Sequence, residues 1–250
     1  KPSWRRLLWR KRRRILGDKV IQEMPLRDHL QEFRKRISIC LAVVGAASFA
    51  CYGYVDDIIA LLSGPAEKLY FMNPAEVFFT YVEIAVYAGV LVTLPVLLYE
   101  LWAFIAPALW PEEKRVVLLI LPAAVLLFYV GLVFAYYFVV PAAVGFFIGF
   151  ATQTLQPMFS LEAYLSFIMA LTLPFGFIFE LPLVVIFLAK LGLVSGEFLR
   201  SKRKILIVIS FVFAAIVSPT TDVITQSLIA VPLIVLYEIS LWIVRFTMHK

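Results

Sequence analysis

Histidine and cysteine are almost absent from this chain of 250 residues, which holds two of each. His29 and His249 lie far apart, so the sequence offers no histidine pair at the spacing that metal sites use. Cys40 and Cys51 both fall in one apolar segment, where a thiol packs as a small apolar side chain. We therefore predict no metal and no cofactor, and the cysteines give no indication of the redox compartment.

Catalytic motifs are missing as well. The sequence has no combination of Ser, His and Asp suited to nucleophilic catalysis and no glycine-rich nucleotide loop. An intramembrane hydrolase would therefore have no plausible nucleophile and base. An internal repeat, which many transporters have, is not detectable either. These absences predict a protein that is not an enzyme.

Charged residues make up only 16% of the chain, whereas 62% of its residues are hydrophobic and the mean hydropathy is +0.92. A surface in contact with water cannot be this apolar, so lipid must be the solvent for most of the chain. A membrane-spanning helix needs about 20 apolar residues. Six segments are predicted to span the membrane, namely 37–55, 84–105, 116–140, 164–189, 205–217 and 223–244.

Basic residues alternate with long stretches that have none. No Lys or Arg lies in 116–189 or 205–244, and Lys68 is the only one in 37–113. In membrane proteins the basic connections are the cytoplasmic ones. The pattern therefore predicts a multi-pass protein with both termini in the cytoplasm. The net charge of +6 is explained by this pattern and by contact with membrane lipids, without a nucleic-acid partner.

Residues 1–24 are predicted to form a basic arm on the cytoplasmic membrane surface, since eight of the first fourteen residues are basic. Residues 25–246 then form a single transmembrane domain, and 247–250 a cytoplasmic tail. The external connections 56–82 and 141–163 are too apolar to be free loops. We expect them to fold back as short interfacial helices.

Glu180 stands out because it lies near the middle of a predicted span. It precedes Lys190 by ten residues, which places it about 15 Å from the inner boundary. A charge at that depth costs about 2.5 to 3.5 kcal/mol on insertion scales. Either a protonated carboxyl bonds to a neighbouring helix, or the group lies in a cavity open to a ligand or partner. A proton-coupled small-solute transporter with Glu180 as its relay is one possible function.

Two further carboxylates lie beside predicted spans on the cytoplasmic side. Glu32 belongs to the amphipathic stretch 25–36, where an ion pair with Arg36 one turn later would account for it. Glu113 lies in the predicted cytoplasmic connection 106–115, where a solvated charge needs no special role. Neither carboxylate is specific on its own.

Five groups of residues occur in a fixed order. They are His29-Leu30-x-Glu32-x-Arg34-x-Arg36; Trp102-x-Phe104-x-x-Pro107-x-Leu109 with Glu113; Phe128-Tyr129-x-Gly131-x-x-Phe134-Ala135-Tyr136; Phe175-Gly176-x-x-Phe179-Glu180-x-Pro182; and Ser218-Pro219, Asp222, Gln226, Pro232 and Tyr237-Glu238. Together they resemble TatC, the receptor subunit of the Sec-independent twin-arginine translocase. That translocase exports folded proteins with the proton-motive force. The resemblance covers about 25–246.

The resemblance implies an all-α membrane protein with six transmembrane helices in a concave, glove-like bundle, located in the inner membrane of a prokaryote. It also implies binding of twin-arginine signal peptides. In the family, the positions matching Glu32 and Glu113 recognise the two arginines, and the matching aromatic Phe104 lies in the same region. Arg34, within the first motif, is included in this predicted site.

The remaining implied roles concern the membrane-embedded and external parts. Glu180 would face the concave side of the bundle, and Pro65 would be a structural residue of the first external loop. Single-span partners of the TatA and TatB type would dock along the fifth and sixth helices, near Gln226, Ser218 and Asp222. A homo-oligomer within a hetero-oligomeric complex is expected. An extra residue near Thr221, Glu100 in place of a neutral amide and the basic arm depart from the family.

Overall fold

The computed structural model describes residues 26–64, 69–108, 111–152, 154, 156–190, 192–218, 220 and 222–247, with the backbone alone at 26, 108, 111–119 and 247. The basic arm 1–24 and Pro65 lie outside the described residues, as does all of the predicted tail except its first residue. Residues up to Ile39 and residues from Cys40 onward form two units, which are described separately.

The described residues form nine α-helices and one pair of very short strands. In chain order they are α1 (Leu26–Tyr52), α2 (Val55–Leu62), β1 (Leu69–Tyr70), α3 (Pro74–Ile105), α4 (Pro111–Phe134), α5 (Val140–Ile148), β2 (Phe159–Ser160), α6 (Leu161–Lys190), α7 (Gly196–Ser201), α8 (Arg203–Val217) and α9 (Val223–Thr247). A single 3₁₀ turn, Ala106–Ala108, follows α3, and a π-helical turn, Ala135–Val139, joins α4 to α5.

Five of these helical segments are long and apolar enough to cross a membrane, namely Arg27–Tyr52, Pro74–Ile105, Ile120–Ile148, Leu161–Lys190 and Val223–Phe246. The remaining predicted span corresponds to α8, which has only 15 residues. At 1.5 Å per residue α8 is about 22 Å long, against a hydrocarbon core of about 30 Å. The predicted all-α membrane fold is confirmed, with one short helix among its six spans.

Three helices extend well beyond the predicted spans. The first begins at Leu26 instead of 37, since the charged amphipathic stretch continues the same helix. The second begins at Pro74 instead of 84, because Asn73 caps it and Glu76 completes a capping box. The third does not stop at 140, because the helix passes through the π-helical turn Ala135–Val139 and continues to Ile148 with Pro141 just after that turn.

One end of the unit beginning at Cys40 is held together by Glu76. The Glu76 carboxylate accepts hydrogen bonds from the Met72 N–H (2.7 Å), the Asn73 N–H (3.3 Å), the Ser160 hydroxyl (2.6 Å) and the Glu162 N–H (3.1 Å). The strands β1 and β2 pair in parallel just before α3 and α6. These two helices therefore start side by side.

Helix α6 packs against α4 and α9. Phe128 and Phe175 are almost fully buried there, at 1% and 0% exposure. A Cβ atom on Gly131 would lie 2.4 Å from the Phe175 carbonyl oxygen, and one on Gly176 would lie 2.5 Å from the Phe128 ring. Both glycines are therefore required by the close approach of α4 and α6.

The opposite end of this unit joins α7, the start of α8 and the end of α9. The buried Tyr237 hydroxyl donates to the Leu199 carbonyl oxygen over 2.7 Å. Arg203 forms an ion pair with Glu238 at 2.5 Å. Leu241 and Val244 complete a small apolar cluster with Leu199 and Tyr237. The connection 191–204 and the end of α9, both predicted to be cytoplasmic, therefore lie at the same end.

Candidate functional site

Glu180 lines a cavity between the second half of α3, the first half of α4 and the second half of α6. The cavity has a volume of about 190 Å³ and an otherwise largely apolar wall. Among the residues of that wall are Leu98, Trp102, Ile120, Leu121, Leu183 and Phe187. The cavity is therefore a membrane-embedded site with a carboxyl group in its wall.

Two polar atoms of this wall are buried and have no hydrogen-bond partner within the described residues. They are Oε1 of Glu180 and the indole Nε1 of Trp102. A buried polar group without a partner costs about 1 to 3 kcal/mol. A donor and an acceptor left unsatisfied in one cavity can both be completed by a polar group that enters it. Of the two interpretations left open for Glu180, this geometry favours the open cavity.

Trp102 belongs to one of the five sequence motifs but is not among the predicted site residues. Tryptophan in an apolar helix most often packs through its ring, and sequence alone does not show whether its N–H has a partner. The only feature of the sequence that could have indicated Trp102 as a site residue is its position two residues before Phe104. Phe104 itself is half-buried on α3 and does not appear in the wall of the cavity.

Glu32 forms the expected ion pair within α1. The Arg36 guanidinium donates to Oε1 of Glu32 from Nη2 over 2.8 Å and from Nε over 3.2 Å. Both bonds use the same oxygen, so Oε2 has no partner among the described residues. Arg34, two positions further along, is exposed. One oxygen of the Glu32 carboxylate is therefore bonded within its own helix, and the other is not.

Glu113 lies in the first turn of α4, a position that favours a carboxylate because of the helix dipole. Its side chain is outside the described part of the chain. Glu32 belongs to the unit that ends at Ile39, so the pairing of Glu32 with Glu113 stays a prediction.

Ser218 and Asp222 organise the turn between α8 and α9. The Ser218 hydroxyl donates to the Thr220 carbonyl oxygen over 2.6 Å, and Asp222 accepts from the Thr220 hydroxyl (2.5 Å) and the Thr225 N–H (2.7 Å). Burial raises the pKa of Asp222, but these hydrogen bonds outweigh burial and hold it below the ordinary value of 3.8. These two residues therefore have a structural role in the turn.

Gln226 differs from them, because its side-chain amide makes no hydrogen bond to any described residue although it is half-buried. An amide in a membrane helix is stabilised by a hydrogen-bond partner.

No group of three or more His, Cys, Asp or Glu side chains within the described residues is placed to hold a metal ion.

Comparison with known proteins gives a consistent result. Residues 28–232 match the family model described as Sec-independent protein translocase protein (TatC). The chain is 41% identical over 235 residues to a protein of that name from Aquifex aeolicus (strain VF5), covering 91% of this chain and 97% of the relative. It is 37% identical over 238 residues to the Escherichia coli (strain K12) protein of that name, covering 92% of each.

A solved structure agrees with the sequence comparison. The crystal structure of a twin-arginine translocase receptor, TatC, superposes with a TM-score of 0.78 at 36% sequence identity. It covers 88% of this chain and 99% of the crystallised chain.

Proposed function

Because this chain belongs to the TatC family of Sec-independent protein translocases, we propose that it binds the twin-arginine signal peptides of folded export substrates through Glu32 and Glu113. The family is one of protein translocases, which favours a receptor for exported proteins over the small-solute transporter that the sequence left open. The observation that carries the proposal is the Glu32 carboxylate, one oxygen of which has no partner within the described part of the chain, beside a weak intrahelical ion pair.

The sidedness of the protein follows from its charges. Arg200, Lys202, Arg203 and Lys204 lie at one end of the unit that starts at Cys40, together with the end of α9. The other end holds acidic residues, Asp56, Asp57, Glu76, Glu162 and Asp222 among them. Basic ends face the cytoplasm. We place the basic end and both termini in the cytoplasm, with the chain in the inner membrane of a prokaryote.

Recognition of the two arginines is mainly geometric in this proposal. A guanidinium is a planar fork that meets a carboxylate through two parallel hydrogen bonds, whereas a lysine ammonium is a point charge. An ion pair one turn apart on a helix contributes only about 0.3 to 0.5 kcal/mol, so a peptide arginine can displace Arg36 from Glu32 at little cost. Arg34 is exposed two positions after Glu32, and its role in the site stays a prediction.

The carboxylates alone do not supply the affinity. Exposed ion pairs contribute about 0.2 to 1 kcal/mol each, whereas micromolar binding requires about 8 kcal/mol. The apolar region of the signal peptide must provide the rest by packing on the membrane-embedded face. Phe104 near the end of α3 is a suitable aromatic contact for this region. The cavity of Glu180 and Trp102 would receive a polar group of the peptide or of a partner helix.

Partner subunits of the TatA and TatB type would dock along α8 and α9. The unbonded amide of Gln226 is the proposed contact, and the turn held by Ser218 and Asp222 fixes its position. An interhelical hydrogen bond in a membrane contributes about 0.6 to 2 kcal/mol, which suits a weak, regulated contact. The short helix α8 leaves a gap in the membrane thickness that a partner or thinned lipid would fill.

The test compares labelled twin-Arg and twin-Lys signal peptides binding to the full chain in lipid nanodiscs. Glu32→Gln and Glu113→Gln each remove one charge, and Glu83→Gln at the opposite end is the matched control. We expect either site variant to lose most of the preference for twin-Arg while retaining part of the membrane-associated binding. The control should keep the preference.

The double variant separates a shared site from two independent ones. If one bound peptide contacts both carboxylates, the double variant loses less than the sum of the two single losses. A twin-Arg preference as strong as that of the parent in either single variant would exclude the paired-carboxylate site. Elution of each variant as the parent species on size exclusion confirms that the fold is intact.

A further inference from the structure

The basic end of the bundle contains a second, larger cavity of about 510 Å³. It lies between the end of α6, the short helix α7, the start of α8 and the end of α9. Its charged wall consists of Arg200, Arg203, Arg245 and Glu197. Leu241 and Val244 are part of its apolar wall. None of these residues is used in the proposed recognition of signal peptides.

The charges of this cavity are not balanced. Arg203 is paired with Glu238 outside the wall. Arg200 and Arg245 have neither an ion pair nor a side-chain hydrogen bond within the described residues, and Glu197 offsets only one of them. Among the residues that the structure describes, one positive charge of this wall is therefore left without a counter-charge. A ligand with a single negative charge and several acceptor oxygens would neutralise it and engage both guanidinium forks.

The position of the two arginines is fixed by the fold. Arg200 follows Leu199, whose side chain is buried and whose carbonyl oxygen accepts the Tyr237 hydroxyl. This bond holds α7 against α9, on which Arg245 lies two turns after Tyr237. Two arginines far apart in sequence thus line one cavity on rigid supports.

The depth of the cavity is indicated by aromatic side chains. Trp242 and Phe246, on either side of Arg245 in sequence, stack with ring centroids 5.8 Å apart and are 69% and 73% exposed. Phe198 on α7 is 52% exposed, with the Lys202 ammonium 5.7 Å from its ring centroid. Exposed tryptophan and basic residues beside apolar helices are typical of the membrane interface. The cavity therefore opens at the depth of lipid head groups.

We propose that this cavity binds the phosphodiester head group of one anionic glycerophospholipid. Arg200 and Arg245 bind the phosphate oxygens, and the acyl chains lie against Trp242 and Phe246. A phosphodiester supplies the single negative charge that the wall lacks, and the apolar part of the lining together with the exposed aromatic side chains of α7 and α9 suits a lipid more than a soluble anion. The lipid would bridge α7 and the end of α9. It would therefore be a specifically bound ligand and not part of the bulk bilayer.

The test measures lipids that remain bound to the full chain, by native mass spectrometry after release from nanodiscs of phosphatidylglycerol and phosphatidylcholine with matched acyl chains. We expect one phosphatidylglycerol to be retained in preference to phosphatidylcholine. Arg200→Gln with Arg245→Gln should lower its occupancy by about tenfold or more, because two charge-assisted contacts are lost. The matched control, Arg27→Gln with Lys204→Gln, removes two exposed positive charges outside the cavity and should change occupancy by less than about twofold.

Equal loss in the control pair would show general attraction to a basic surface and would overturn the site. Displacement of the lipid by millimolar inorganic phosphate would show that a free anion, not a lipid, is the ligand. If the glutamine pair does not fold, Arg200→Lys with Arg245→Lys keeps both charges but loses the forks. That pair should then show reduced occupancy of phosphatidylglycerol, and an unchanged value would refute the proposed guanidinium contacts.

Discussion

Replacing Glu180 with leucine should make the protein more stable and less active. Within the described residues, Oε1 of Glu180 is buried without a hydrogen-bond partner in a largely apolar cavity. An apolar side chain of similar size removes that unsatisfied acceptor, which costs about 1 to 3 kcal/mol. The free energy of unfolding of Glu180→Leu should rise by up to this amount. For a chain of this size that corresponds to an increase of about 2 to 12 °C in the unfolding midpoint.

Export should change in the opposite direction, because the leucine variant has nothing to offer a polar group that enters the cavity. Glu180→Gln keeps an acceptor oxygen and adds a donor, so it should retain most export. The assay pairs thermal unfolding in mixed micelles with transport of a folded substrate. Glu238→Leu is the control for stability, because it removes a satisfied carboxylate that is 43% exposed and should cost up to about 1 kcal/mol.

Two results would refute this reasoning. A lower unfolding midpoint for Glu180→Leu would mean that the fold itself satisfies the carboxyl. Equal loss of export in the glutamine and leucine variants would indicate that Glu180 carries a proton, as in the transporter function considered for the sequence.

Two other predictions concern stability. Gly131→Ala should destabilise the protein by about 1 to 3 kcal/mol, because its Cβ would lie 2.4 Å from the backbone oxygen of Phe175, whereas Gly145→Ala has open space and should be neutral or stabilising in the same unfolding assay. The pKa of Asp222 is lower in the folded state, so its contribution is present above about pH 4 and is lost as the pH falls further. When the pH falls from about 5 to about 3, the parent should therefore lose more unfolding free energy than Asp222→Asn. Equal losses in the two proteins would contradict this prediction.

Hydropathy predicted the number and order of the membrane helices but not their ends. The ends depend on local hydrogen bonding, which hydropathy does not measure. The capping box of Asn73 and Glu76 is visible in the sequence and could have placed the start of α3 correctly. The predicted span 116–140 stops just before Pro141, although the helix passes through a π-helical turn and continues to Ile148.

The candidate sites were predictable only in part. Glu180 could be found because a carboxylate in an apolar run is rare. Trp102 could not be found in this way, because only the structure shows that its indole N–H has no hydrogen-bond partner among the described residues. Arg200 and Arg245 are 45 residues apart in the chain and share a cavity because α7 packs against the end of α9, where the Tyr237 hydroxyl bonds to Leu199. Sequence identifies unusual residues, whereas structure shows which ordinary residues are left without partners.

The acidic residues of this chain differ in how fully the fold satisfies them, and we expect that difference to separate structural from functional groups. Glu76 accepts four hydrogen bonds and joins the starts of two helices. Asp222 accepts two and holds a turn. Glu32 is bonded to one guanidinium through a single oxygen, and Oε1 of Glu180 has no partner among the described residues. Native folds leave few buried polar groups unsatisfied, so those that remain are the places where a ligand can complete the bonding. The carboxylates that the fold satisfies least are therefore the ones on which recognition of a signal peptide and its partners should depend.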